Sequence, residues 1–174
     1  MLGNIDIHSG TYLIAQSFAL AAMIVSVVSQ QFKDRRWLLI FFIIGNLLNS
    51  VHFLLLAAIT GFVLAIIGAV RFAVSIFSTN KLWLGFFLLI NTVALPFIFE
   101  GILLSGTAYI AATAIIVSTF LKSDHWMRVC IIVGALGWLV YGVMIGSIIA
   151  MVSNGIFLVS SILGWYRYVY KKKT

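Results

Sequence analysis

The sequence is poor in most of what organises a soluble domain. One cysteine excludes a disulfide framework or a Cys-rich metal site, and one proline excludes Pro-rich linkers. Four acidic residues in 174 leave charged residues at 9%, against roughly 25% in an ordinary soluble domain. Residues 1–11 carry no Lys or Arg ahead of the first apolar run, so a cleaved signal peptide is not expected. No phosphate-binding P-loop, metal-ligand cluster or carboxylate pair occurs, so no cofactor is expected and an enzyme is the weaker class. Ser50 and His52 do not make a nucleophile and base, because residues two apart on a helix point to opposite sides and no orienting acid is near. What is abundant is apolar, at 63% of residues. The eleven Lys and Arg are scattered between apolar runs, which makes them topology signals and not a nucleic-acid footprint.

A bilayer core of about 30 Å takes roughly 20 helical residues. Residues 37–78 hold no charge but Arg71 and would make a helix of about 63 Å, so this run folds back, with Thr60-Gly61 as its best turn. Glu100-Gly101 divides residues 82–121, and Gly146-Ser147 divides residues 129–164. With a first span near residue 12, the pattern predicts seven helices at residues 12–29, 37–57, 61–78, 82–99, 102–121, 127–145 and 148–168, in a single membrane domain covering 1–174.

Loop charges test that count. Lys33, Arg35, Arg36, Lys81, Lys122, Arg128, Arg167 and Lys171 to Lys173 all fall on one side of the seven-span layout. Asp6, Glu100 and the two tight turns fall on the other, which predicts an outside N-terminus and a cytoplasmic C-terminus; six or eight spans break the alternation. Trp37, Trp83, Trp126, Trp165, Tyr166 and Tyr168 then form an interfacial aromatic belt, and the Tyr168 to Lys173 tail an anchor on anionic lipid.

An offset of 89 positions aligns Lys33 with Lys122, Trp37 with Trp126, Gly45 with Gly134, His52 with Tyr141 and Ala57 with Gly146. Two three-helix units (residues 12–78 and 102–168) point the same way only if an extra helix, residues 82–99, reverses the chain between them. The fold class is therefore an all-α polytopic bundle of 3+1+3 parallel repeats.

His52-Phe53-x-Leu55, Arg71 within the third span, Met127-Arg128, Gly146-Ser147-Ile148 and Met151 through Gly155-x-Phe157-Leu158 resemble the YgjV-type bacterial inner-membrane proteins, over residues 40–170. The resemblance implies the inner membrane but carries no settled activity. The layout is more distantly similar to SWEET and PQ-loop transporters, which implies alternating access for a small solute. The chain departs from them in lacking a Pro-Gln pair, and its one proline, Pro96, falls in the linker helix.

Arg71 lies ten residues from both Gly61 and Lys81, about 15 Å from either end of its span, too far to snorkel easily. A charge at the bilayer centre costs about 2.5–3.5 kcal/mol even on the lenient scale and calls for a partner or a wet cavity. Asn46 and Asn49 bracket its depth across the hairpin and share one face with His52, while Asn91 and Asn154 fall near mid-depth in the fourth and seventh spans. These six are the candidate solute-binding residues; the competing reading makes Arg71 a structural cation and the amides interhelical glue. Gly61, Ala65, Ala69 and Ala73 form a small-residue packing stripe, and Cys130 reads as a buried small hydrophobe.

No acid falls within a span, so the carboxylates of proton or sodium coupling are missing and a uniporter is favoured. The expected function is a facilitative transporter of a small polar or anionic solute; the alternative is a non-transporting membrane scaffold. The partners expected are lipid, the solute and, through Gly- and Ala-lined faces, a second copy of the chain; nucleic acid is not among them.

Overall fold

The computed structural model describes residues 10–29, 35–78, 80–121 and 123–166. Asp6, Lys33, Asp34, Lys122, Arg167, Tyr168 and Lys171 to Lys173 lie outside the described residues. Seven α-helices and no strand occur among those described: α1 (Gly10–Ser29), α2 (Arg35–Leu55), α3 (Ile59–Phe77), α4 (Lys81–Ala94), α5 (Ile102–Phe120), α6 (Asp124–Met144) and α7 (Ile148–Trp165). Three of them, α3, α5 and α6 from His125, are long and apolar enough to cross a membrane; the other four contain shorter apolar stretches.

Local chemistry sets the ends. Asn80 caps α4 by accepting from the Leu82 N–H, and Ser147 caps α7 by accepting from the Ala150 N–H, satisfying donors that a helix start leaves without an intrahelical partner. The fourth helix is shorter than its apolar run predicts. It ends at Ala94 and continues as a 3-10 turn, Leu95–Phe97, because Pro96 has no N–H to give and crowds the preceding turn.

The first hairpin turns earlier than Thr60-Gly61. The reversal is at Leu56 to Ala58, with Ala57 in the left-handed region at φ 55°, and Thr60 and Gly61 belong to the first turn of α3. The second turn has Gly146 at φ 67°, as expected. The two turns are closed alike: the Ala58 N–H donates to the Phe53 carbonyl at 2.9 Å and the Ser147 N–H to the Gly142 carbonyl at 3.0 Å, positions that match under the offset of 89. The Leu56-to-His52 and Ile145-to-Tyr141 bonds, at 3.2 and 3.0 Å, match in the same way.

Helices α1, α2 and α3 pack consecutively, as do α5, α6 and α7; α1 meets α7, α3 meets α5, and α4 packs mainly on α5. Near the two turns the groups share one core of Phe53, Leu64, Ala65, Ile98, Ala108, Ala112, Tyr141 and Ile145. Phe53 stacks on Trp138 at 5.9 Å and meets the edge of Tyr141 at 5.5 Å, joining α2 to α6. On α3, Gly61, Ala65 and Ala69 are buried and Ala73 is half-buried, and the opposite side, carrying Arg71, is enclosed too. Cys130 is half-buried, less enclosed than a core thiol.

Close approach of α5 and α6 requires Gly137, where an added Cβ would fall 2.7 Å from Ala111 Cβ and 3.2 Å from its Cα. Gly137→Ala is expected to cost about 1–3 kcal/mol through overpacking, a fall of several degrees in melting temperature. Gly85→Ala, which meets nothing within 4 Å, is the control. Equal melting of both variants in detergent solution contradicts this packing.

Candidate functional site

Helix α3 holds Arg71 inside the bundle at 2% exposure. Because α3 ends at Phe77, Arg71 lies about 18 Å from the Ile59 end and about 9 Å from the other, nearer one end than the even spacing of the sequence suggested. Its Nη1 donates to the Thr119 hydroxyl and, at 3.4 Å, to the Ile115 carbonyl. Its Cζ lies 4.1 Å from the Phe72 ring centroid, a cation–π contact. Every acceptor it reaches is neutral, and its Nε is buried with no hydrogen-bond partner.

Asn91 on α4 is fully buried. Its Nδ2 donates to Thr113 Oγ1 at 2.9 Å, while its Oδ1 has no partner. Asn46 on α2 commits its Nδ2 to the Phe42 carbonyl at 2.8 Å, and its Oδ1 lies against Gly68, 2.7 Å from where a Cβ would stand. Asn46, Arg71 and Asn91 line one cavity of about 40 Å³, walled by Leu64, Ile67, Ala112, Ile116 and Trp138. A water needs roughly 10–15 Å³ measured this way, so about three fit. The arrangement brings one cation and two amide side chains to the same cavity, between apolar walls.

Three of the six candidate residues thus meet, and three do not. Asn154 turns its amide back onto its own helix, donating to the Ala150 carbonyl at 2.9 Å. Asn49 is half-buried and is not part of the cavity lining. His52 belongs to a second cluster at the turn end. Its Nδ1 donates to the Ala15 carbonyl at 2.9 Å, which makes Nε2 of the neutral ring the acceptor for the Ser147 hydroxyl at 3.0 Å.

That second cluster ties α1 and α2 to the start of α7. Gln16 Oε1 accepts from the Ile149 N–H at 3.0 Å, and the Tyr12 hydroxyl donates to the Gly146 carbonyl at 3.0 Å. A third cluster ties the start of α3 to the other group. Tyr141 accepts from the Gly61 N–H at 2.8 Å and Glu100 from the Thr60 N–H at 2.6 Å. A directed chain runs from the Glu100 N–H to Ser105 Oγ, then to Thr60 Oγ1, then to the Ile98 carbonyl, at 2.8, 3.0 and 2.7 Å. The two clusters are reciprocal. Gln16 meets Ile149 as Ser105 meets Thr60, and the offset of 89 converts one pair into the other; His52 and Tyr141, an aligned pair, each reach the opposite group's hairpin.

Sequence reasoning passed over Trp138 at the cavity, Thr113 and Thr119 as the partners of Asn91 and Arg71, and Gln16, Thr60 and Ser105 at the turn end. Hydroxyls and one amide in apolar helices give no periodic signal of their own. Only the offset of 89, followed beyond the residues that look alike, leads from Gln16 to Ser105 and from Thr60 to Ile149.

The profile of the Imp-YgjV family, described as bacterial inner membrane protein, matches residues 13–172. No curated protein and no solved structure matches the chain.

Tyr141→Phe removes the acceptor of the Gly61 N–H in a buried place. The expected cost is about 1–3 kcal/mol, read as a lower melting temperature of the purified protein. An unchanged melting temperature contradicts the role given to this contact.

Proposed function

We propose, on the premise that the chain belongs to the Imp-YgjV family of bacterial inner membrane proteins, that it is a facilitative transporter of a small polar or anionic solute. The observation that carries this reading is that Arg71 and Asn91, each with a buried polar atom that has no protein partner, line one cavity. A purely structural cation would have its donors consumed by protein, as a scaffold requires. The scaffold reading does account for His52, both of whose ring nitrogens find partners within the chain, and for Asn154, whose Nδ2 bonds its own helix. It leaves Arg71 Nε and Asn91 Oδ1 without a protein partner, as it does Gln16 Nε2 in the turn-end cluster.

All seven helices span the bilayer in this reading, with the N-terminus outside and the C-terminus in the cytoplasm, as two three-helix units joined by α4. Support for the repeat comes from the matched turn bonds and from the reciprocal clusters. Support for the orientation comes from the loop charges. Both hairpins are latched to the opposite unit at the turn end, so the conformation is closed on the outside, and transport reverses it by rocking one unit against the other. A guanidinium and amides bind and orient a solute; they offer no nucleophile–base pair, so the solute leaves unchanged. Without a carboxylate relay the movement is downhill.

Two measurements test this. Uptake into proteoliposomes from a panel of small labelled solutes should fall at least about tenfold in Arg71→Gln, the loss of one charge-assisted hydrogen bond. No uptake of any solute, or unchanged uptake by the variant, contradicts transport through this cavity. For topology, in a Cys130→Ser background, an impermeant maleimide should label Ile102→Cys from outside and Ser123→Cys only after the membrane is opened. The opposite pattern reverses the orientation.

A further inference from the structure

We infer that Tyr141 caps α3 in place of a hydroxyl missing at Ala58, and that its bond to Gly61 is the catch of an aromatic gate, Phe53, Trp138 and Tyr141, between the cavity and the turns. The inference rests on the reading of the chain as a transporter and names the part of it that must open.

The missing hydroxyl shows when the two hairpins are compared. Ala58 and Ser147 match under the offset of 89, and each precedes a helix with similar backbone, φ −89° and ψ 76° against φ −90° and ψ 104°. Ser147 Oγ accepts from the Ala150 N–H at 3.2 Å, so α7 carries its own cap. Ala58 has no side-chain oxygen, and the matching N–H, that of Gly61, is met by the Tyr141 hydroxyl at 2.8 Å. His52, the match of Tyr141, bonds the Ser147 hydroxyl and leaves the Ala150 N–H to it. Tyr141 thus takes the place of the cap atom itself. For this donor α7 depends on its own residue, whereas α3 depends on α6.

The same tyrosine stands between the cavity and the turns. Trp138 lines the cavity, and Tyr141 lies one turn further along α6, about 4.5 Å from its end against about 9 Å for Trp138. Their rings meet edge to face at 5.6 Å, and Phe53 of α2 packs on both. Phe53 and Tyr141 are buried, and a Cβ on Gly61 would fall 2.8 Å from the Tyr141 ring and 2.9 Å from that of Phe53, so α3 closes directly on both. Two of the rings belong to α6 and one to α2, so separating the two three-helix groups parts the cluster. The catch suits opening, because a backbone N–H and a tyrosine hydroxyl that are uncovered together both exchange their partner for water.

Cysteine labelling reads the gate without any solute. In a Cys130→Ser background, Ile116→Cys places a thiol on the cavity wall, and an impermeant methanethiosulfonate is applied to each face of membrane vesicles holding the full chain. Ile102→Cys, at an exposed place by the turns, marks the turn face. Labelling of Ile116→Cys from that face should be slow, and should rise roughly two- to tenfold with Tyr141→Phe, the loss of one hydrogen bond. Ala58→Ser added to Tyr141→Phe should restore the melting temperature while labelling stays fast, a split that a merely structural tyrosine would not give. Tyr109→Phe, which loses a hydroxyl bonded to Thr92 at 2.8 Å, should leave the rate unchanged. Fast labelling from the turn face with Tyr141 intact, or a rate that Tyr141→Phe does not raise, overturns the gate. So does a double variant whose labelling slows as its melting temperature recovers, and no recovery overturns the cap. If Tyr141→Phe alone does not accumulate in the membrane, the double variant is compared with Ala58→Ser in its place. Raised labelling without uptake of any solute keeps the gate and rejects transport; uptake with unchanged labelling rejects the gate and keeps transport.

Discussion

Everything in this bundle is arranged around one guanidinium that the apolar phase ought to exclude. Arg71 is 2% exposed, and within the protein it is held only by neutral oxygens and the face of Phe72. In water such contacts would count for little, but in a medium with few competing dipoles they fix the side chain. They also require that α3 be enclosed on two sides. Small residues allow this: Gly61, Ala65 and Ala69 let neighbouring helices close on one side, and Gly68 leaves room for the Asn46 amide beside the cavity.

The second constraint is that a helix start leaves backbone N–H groups without an intrahelical partner, and buried ones need a partner from elsewhere. Both hairpins bring helix starts, those of α3 and α7, to the turn end. Each is met from across the bundle: α3 by Tyr141 and by Glu100 just ahead of α5, α7 by Gln16. Satisfying these donors therefore also fastens the two groups together where the turns are. Away from the turns the two groups are joined again, by Arg71 on α3 donating to Thr119 and Ile115 on α5.

Much of this was legible in the sequence, for reasons specific to the environment. Apolar runs of bilayer length, interrupted by charge or glycine, placed all seven helices, although the fourth ends at Ala94 and not at residue 99. Arg71 stood out because a charge in an apolar run is costly, and its grouping with Asn46 and Asn91 followed from rise per residue alone. The remainder was not legible for equally physical reasons. The first turn falls at Ala57, which takes a left-handed conformation usually left to glycine, so composition pointed to Thr60-Gly61 instead. Asn154 and His52 look as polar as Asn91 in a sequence, yet Asn154 is absorbed by its own helix and His52 by the start of α7. Depth groups residues by level; only packing decides which of them face each other.

The central claim is that Arg71 Nε and Asn91 Oδ1 serve something other than protein. An experimental structure in a lipid nanodisc, at a resolution that shows ordered solvent, tests it most directly. The account predicts density in the cavity within hydrogen-bond distance of both atoms. A cavity collapsed to nothing, with Arg71 Nε and Asn91 Oδ1 each bonded to protein, would contradict it.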